Sequence, residues 1–158
     1  MQNEPDPCVR YTALFDTSTR FRSVAYALQP NTVPLCDSHL KRGWYRFLHP
    51  VGYEIPEDNP DPHKNPKLNH CGTVHPLWLG GKHPVNDNEV VTHQACMNIF
   101  GVMSCIGAGT ITVKKCNGYY VYELAPTVGC SMAYCAGILC GSLALLILLK
   151  KTHCFIIQ

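Results

Sequence analysis

Ile111-Thr112-Val113-Lys114-Lys115-Cys116-Asn117-Gly118-Tyr119-Tyr120-Val121-Tyr122-Glu123-Leu124 is the stretch on which the fold turns. Two runs of β-branched and aromatic residues flank Asn117-Gly118, a dipeptide that favours a two-residue hairpin loop. The expected turn is type I′, with φ > 0 at both loop positions. Such a loop sets Ile111 opposite Leu124, Val113 opposite Tyr122 and Lys115 opposite Tyr120. Ile111, Val113, Tyr122 and Leu124 then form the buried face. On the other face Cys116 lies beside Tyr119, Lys114 beside Val121 and Thr112 beside Glu123. Cys116 at the strand end is placed to staple the hairpin tip to another segment.

Cys116 is one of eight cysteines spread across the polar part of the chain, with Cys8, Cys36, Cys71, Cys96, Cys105, Cys130 and Cys135. None forms a C-x-x-C pair, the spacing usual in zinc and redox motifs. An even number of scattered cysteines in a short chain with 12 Gly and 12 Pro reads as a disulfide framework. Disulfides persist outside the reducing cytosol, so the expected setting is extracellular or cell-surface. At 158 residues the chain is one domain by length. The expected fold is mostly β: a small disulfide-rich extracellular domain with long loops and at least one hairpin, at 111–124.

Thirteen Lys+Arg against eleven Asp+Glu leave a dispersed net charge of +2, too little for a nucleic-acid surface. No P-loop, GxGxxG, nucleophile elbow or paired-carboxylate motif occurs, so no enzyme activity and no cofactor is expected. Residues 1–7 are polar and acidic and read as a disordered lead. They lack the basic n-region and apolar h-region of a signal peptide, so the expected export implies a fragment or an incomplete start.

Residues 136–158 form an apolar tail in which 136–149 carry no charge before Lys150-Lys151. As a helix, 136–149 would extend about 21 Å, short of the ~30 Å hydrocarbon core. The tail therefore reads either as a short membrane anchor or as non-domain sequence, and Cys140 and Cys154 belong to it.

Between these ends, Gly43-Trp44-Tyr45-Arg46-Phe47-Leu48 is a strand candidate, and so is Glu89-Val90-Val91-Thr92. Residues 101–109 are small and loop-like. Residues 50–70 hold five prolines and almost no apolar residue after Ile55, which predicts a long exposed loop. That loop is the candidate partner surface.

Four side chains stand out as weak binding candidates. Trp44 and Trp78 could line a groove, although such residues are more often core anchors. Arg46 could meet a carboxylate or stack on Tyr45 or Trp44. His83 sits in a His-Pro dipeptide. His63, His70, His75, His83 and His93, with Cys71 and Cys96, supply ligand types for zinc, but not the spacing of a site. A Cys/His metal-binding protein of a reducing compartment is thus the alternative reading, and no metal residue is assigned.

Several blocks carry a family likeness. They run from Asp6-Pro7-Cys8 and Cys36-Asp37 through Gly43-Trp44-Tyr45-Arg46-Phe47 and Cys71-Gly72-Thr73 to Trp78-Leu79-Gly80-Gly81-Lys82-His83-Pro84. Ala95-Cys96, the 111–116 strand, Tyr119-Tyr120-Val121-Tyr122, Cys130 and Tyr134-Cys135 complete them. In this order the chain resembles the eight-cysteine extracellular domain of uromodulin, the pancreatic zymogen-granule glycoprotein and the von Willebrand factor D/EGF-type proteins. The resemblance implies a domain over 8–135 that serves as a non-catalytic structural or interaction module. It also implies neighbouring extracellular domains in a longer parent, and a protein or glycan partner.

Two departures matter. Uromodulin looks like a ten-cysteine version of the module. Here the loop 55–70 has no cysteine, and Ser104 stands before Cys105, as if one whole disulfide were missing. In uromodulin-like members the WL-x-G-x-HP block carries an N-glycosylation sequon whose glycan bacterial fimbrial lectins capture. Here that block reads Gly80-Gly81-Lys82, and no N-x-S/T site occurs in the chain. The adhesin-capture role is therefore not expected.

Overall fold

A computed structural model describes residues 4–15, 22–48, 52–99 and 105–137. Readings of the tail beyond 137, including the anchor and the cysteines 140 and 154, lie outside the described residues. Among the described residues no helix is long and apolar enough to cross a membrane.

Among the described residues seven strands form one sheet: β1 (Thr12–Leu14), β2 (Gly43–Phe47), β3 (His75–Leu79), β4 (Val90–Met97), β5 (Ile106–Cys116), β6 (Tyr119–Leu124) and β7 (Met132–Tyr134). Their order is β1-β2-β6-β5-β4-β3-β7, with β1 parallel to β2, β7 parallel to β3, and the other pairs antiparallel. Among the described residues the helical part is two single-turn 3-10 segments, Asp37–His39 and Pro62–Lys64.

The β5–β6 hairpin has the register its sequence requires: Val113 faces Tyr122, Lys115 faces Tyr120 and Cys116 faces Tyr119. Ile111, Val113, Tyr122 and Leu124 are fully buried. The turn differs from expectation. Gly118 has φ +82°, but Asn117 is not in the positive-φ region. That sign pattern belongs to type II rather than type I′. Val121, on the other face, is also fully buried. The N-terminal segment lies against that face: Tyr119 donates to the Cys8 carbonyl, and Lys114 Nζ meets Asp6 Oδ1 at 2.8 Å. From Asp6 onward, the lead read as disordered is therefore held to the hairpin.

The small-residue stretch read as a loop is, from Ile106 onward, the start of β5. Glycine makes this pairing possible. A Cβ at Gly107 would collide with the Gln94 side chain, and Gly109 has φ +123°. A bulge between Gln94 and Cys96 breaks the register at the same level.

β3 carries Pro76, which cannot donate to a ladder. It is tolerated because β4 pairs only from Leu77 onward. On the β7 side the bonds use the flanking residues, His75 N–H to Ser131 O and Cys135 N–H to Leu77 O.

The core holds Trp78, Tyr122, Phe47, Leu77, Leu79, Ile111 and Leu124, with Phe47 and Tyr122 packed edge to face at 5.5 Å. Among the described residues four disulfides join Cys8–Cys116, Cys36–Cys130, Cys71–Cys135 and Cys96–Cys105. The first three close spans of 108, 94 and 64 residues. On the chain-entropy account each such closure contributes about 4 kcal/mol. A buried ion pair adds a further clamp. Both guanidinium nitrogens of Arg22 reach Asp37 at 2.7 Å, and Asp37 also accepts the Tyr134 N–H at 2.8 Å.

The tail begins inside the fold. Ala136 is fully buried and bridges Ser23, and Gly137 bridges Glu54.

Candidate functional site

The segment 52–70 is not the exposed loop its composition predicts. Ile55 is fully buried, and Asn65 is 5% exposed. Three backbone bridges tie the segment down. They pair Glu57 with Leu79 at the end of β3, Glu54 with Gly137, and His70 with Ala27. Between them, side-chain amides and carboxylates replace the missing apolar contacts. Asn65 Oδ1 accepts the Asn59 N–H at 2.7 Å, and its Nδ2 donates to Asp58 Oδ1 at 3.0 Å and to Asn59 O at 3.1 Å. Asn59 Oδ1 accepts from Asp61 N–H and Asp61 Oδ1 from His63 N–H, in successive Asx turns.

This ordered segment walls a cavity of about 500 Å³, a volume typical of small-ligand sites. Val24, Ile55, Pro56 and Pro66 give it an apolar side, and Glu54, Glu57, Asp58, His70, Lys82 and His83 a polar one.

Its most constrained group is His83. The Glu57 carboxylate can only accept, so His83 Nδ1 donates to Glu57 Oε1 at 2.9 Å. Nε2 then accepts from the Tyr122 hydroxyl at 2.9 Å, and Tyr122 Oη accepts the Ile55 N–H at 3.2 Å. The buried hydroxyl and both ring nitrogens are thereby satisfied. Burial pushes His83 below its ordinary pKa, against the pull of Glu57. Burial also pushes the Tyr122 hydroxyl well up.

Burial alone would raise Glu57. The His83 backbone N–H at 2.7 Å, the Lys82 ammonium at 2.8 Å and the His83 ring outweigh it and hold Glu57 at about 2. Glu54 goes the other way. Partial burial, with the Glu57 charge nearby, raises it to about 7. Among the described residues, no hydrogen bond or ion pair reaches its carboxylate.

The structure separates the four binding candidates. His83 lines this cavity. Trp78 is fully buried behind it and donates Nε1–H to Asp58 at 2.9 Å, so it supports the wall and reaches no ligand. Trp44 and Arg46 are elsewhere, on β2. Trp44 joins Tyr11, Thr12 and Arg10 along a shallow groove by the N-terminal segment. Arg46 stacks on neither Tyr45 nor Trp44. It lies 3.7 Å over the Tyr119 ring and donates to the Tyr11 hydroxyl at 2.9 Å. Its charge is thus taken up in fastening β2 to the N-terminal segment.

The metal alternative loses its sulfur ligands. Cys71 and Cys96 are disulfide-bonded, and His93 Nε2 lies 2.9 Å from the Lys82 carbonyl. Among the described residues, the one group with metal-like proximity is Cys36, His39 and Cys130, and its two cysteines are bonded to each other.

Sequence reasoning missed Glu54, Glu57, Asp58 and Tyr122. A weak signal existed: three carboxylates at 54, 57 and 58 in a Pro-limited stretch, with a second Pro-limited block carrying Lys82-His83.

A model of the uromodulin-like D8C domain matches residues 45–136. The pancreatic secretory granule membrane major glycoprotein GP2 of Rattus norvegicus is 35% identical over 134 residues, covering 82% of this chain and 23% of the relative. GP2 of Homo sapiens is 34% identical over 131 residues, covering 82% of this chain and 22% of the relative. Uromodulin of Mus musculus is 34% identical over 131 residues, covering 82% and 18%. The chain therefore spans about a quarter or less of the length of these relatives.

Proposed function

The chain belongs to the uromodulin-like D8C domain family, and we propose that it acts there as a non-catalytic interaction module whose contact surface is a loop-walled cavity rather than a glycan. The observation that carries this reading is the segment 52–70. Its polar network holds carboxylates, imidazoles and an apolar wall around one cavity on a disulfide-braced sheet. Fixed groups on a rigid scaffold are what recognition requires.

The same geometry favours binding over catalysis. Both ring nitrogens of His83 are engaged, and its hydroxyl partner Tyr122 is fully buried, so the Glu57–His83–Tyr122 line ends in the core. The missing sequon removes the glycan that fimbrial lectins would capture in sequon-bearing members. Gly80 is also poorly suited to a side chain: a Cβ there would lie 2.7 Å from Cys96 Sγ and 2.8 Å from Gln94 O. We assign the module to residues 8–135, closed by Cys71–Cys135, with its neighbours in a longer parent as the first partners to examine.

The test is the full chain, secreted through a mammalian pathway behind an added signal peptide. We expect an intact mass with four disulfides and no N-glycan, and no binding to a mannose-specific fimbrial lectin. Mannose-dependent lectin binding would overturn the proposal.

A further inference from the structure

We propose that the cavity beside Glu54 binds a primary amine carried on an alkyl stem, as a free amine or a lysine side chain presents it. This deepens the reading above, since it rests on that cavity being the contact surface.

Four observations converge on it. First, the Glu54 carboxylate lines the cavity with no hydrogen bond or ion pair among the described residues, while its neighbours are engaged. Glu57 is held by Lys82 and His83, and Asp58 by Trp78 and Asn65. Glu54 is therefore the carboxylate left to meet a ligand.

Second, an isolated, partly buried carboxylate favours a cation that replaces its lost hydration. The nearby charge that acts on it is the like charge of Glu57, and Lys82 is engaged by Glu57 at 2.8 Å.

Third, the ligand is an organic cation and not a metal ion. Among the described residues, no set of three ligating groups at this cavity lies within metal-binding reach.

Fourth, Val24, Pro56 and Pro66 supply an apolar wall for a methylene stem. An ammonium on such a stem buries its carbons and keeps its charge on the carboxylate.

The pH dependence has a definite sign. Glu54 loses its proton near pH 7, so its ionised fraction falls about tenfold from pH 8 to pH 6. An alkylamine stays protonated across that range. The other titratable or charged groups at the cavity are Glu57, Asp58, His63, His70 and His83, with Lys64, Lys67 and Lys82. Glu57 stays ionised there, so it does not add to the pH dependence.

The experiment titrates the full, disulfide-intact chain with n-pentylamine, n-pentanol, hexanoate and Nα-acetyl-lysine amide, following backbone amide shifts by NMR. We expect saturable shifts at Val24, Ile55 and Gly137 with both amines and with neither pentanol nor hexanoate. The pentylamine affinity should fall about tenfold from pH 8 to pH 6. Glu54→Gln should weaken binding at least tenfold at pH 8 and remove most of the pH dependence, with its amide spectrum otherwise unchanged. Tighter binding of the lysine amide would identify a polypeptide source, and equal binding a free amine.

Absence of saturable shifts with either amine, or equal binding by Glu54→Gln, would overturn the proposal. Shifts with pentanol or hexanoate alone would overturn the amine assignment while leaving the cavity as a contact surface. The interaction reading itself fails by a different readout, the intact mass and lectin assay.

Discussion

The hairpin β5–β6 and the segment 52–70 both bury backbone, by opposite means. The hairpin pairs its N–H and C=O groups with each other and hides Ile111, Val113, Tyr122 and Leu124 behind them. The segment has one large apolar anchor, Ile55; beside its backbone bonds to Leu79 and Gly137, it satisfies the N–H groups of residues 59, 61 and 63 with the side chains of Asn65, Asn59 and Asp61. Apolar burial is non-directional and insensitive to pH. A polar network depends on each member, and it places ionisable groups where their pKa values move. The hairpin is therefore the stable half of the comparison, and the segment the half that can recognise something.

The largest expected effect falls on the hairpin. Ile111→Ala should cost about 2–5 kcal/mol in denaturant melts, the range for truncating a fully buried aliphatic side chain. The loss should be the same at pH 5 and pH 8. A strongly pH-dependent loss would break the distinction between the two regions.

Next is Asn65→Ala, at about 1–3 kcal/mol for the Asn59 and Asp58 groups left without their partner. Hydrogen exchange should rise at 58–65 and stay slow in β5 and β6. A uniform rise would mean that the segment and the hairpin unfold as one unit.

Gly118→Val should cost about 1–2 kcal/mol, since Gly118 has φ +82° and a β-branched residue resists that conformation. An unchanged melting temperature would show that the turn can shift its backbone.

The smallest effect is electrostatic. Glu54 has a folded value of about 7 against 4.5 in the unfolded chain, so its contribution is fully present below pH 4.5 and lost as pH rises through 7. Glu54→Gln should therefore stabilise the protein at pH 8 and leave it unchanged below pH 4.5. His83 runs in the other direction. Its lowered pKa gives stability that is present above 6.5 and lost as pH falls. Melting scans of the variant should accordingly show a steeper decline from pH 7 to pH 5 than the parent does. Parallel curves for the two proteins would remove Glu54 from the account.

How much was legible in the sequence follows the same division. The hairpin register could be read because alternation and Asn117-Gly118 are local signals. Even there the type II sign pattern could not be read, because Asn-Gly is compatible with either turn. Residues 106–109 looked like loop because glycine carries no periodicity. Their pairing with β4 depends on Gly107, where a Cβ would collide with the Gln94 side chain. Of the cavity, the stretch 50–70 was singled out as a partner surface, His63 and His70 as ligand types and His83 for its dipeptide, none of them for its actual partners. Glu54, Glu57 and Tyr122 are up to 68 positions apart in the chain, and nothing local marks them as neighbours. Trp44 and Arg46 could be singled out as aromatic and cationic, yet their partners Tyr11 and Tyr119 lie on other segments.

The sequence alone determined a mostly β, disulfide-stapled module, because strand alternation, turn residues and cysteine number are properties of the chain itself. Only the tertiary structure decided which cysteines join and that 52–70 folds onto the sheet. It alone placed beside a cavity one half-buried carboxylate, Glu54, that has no hydrogen-bond or ion-pair partner among the described residues. Pairing and desolvation depend on which distant residues meet, and that is fixed by the packed sheet rather than by any single stretch of sequence.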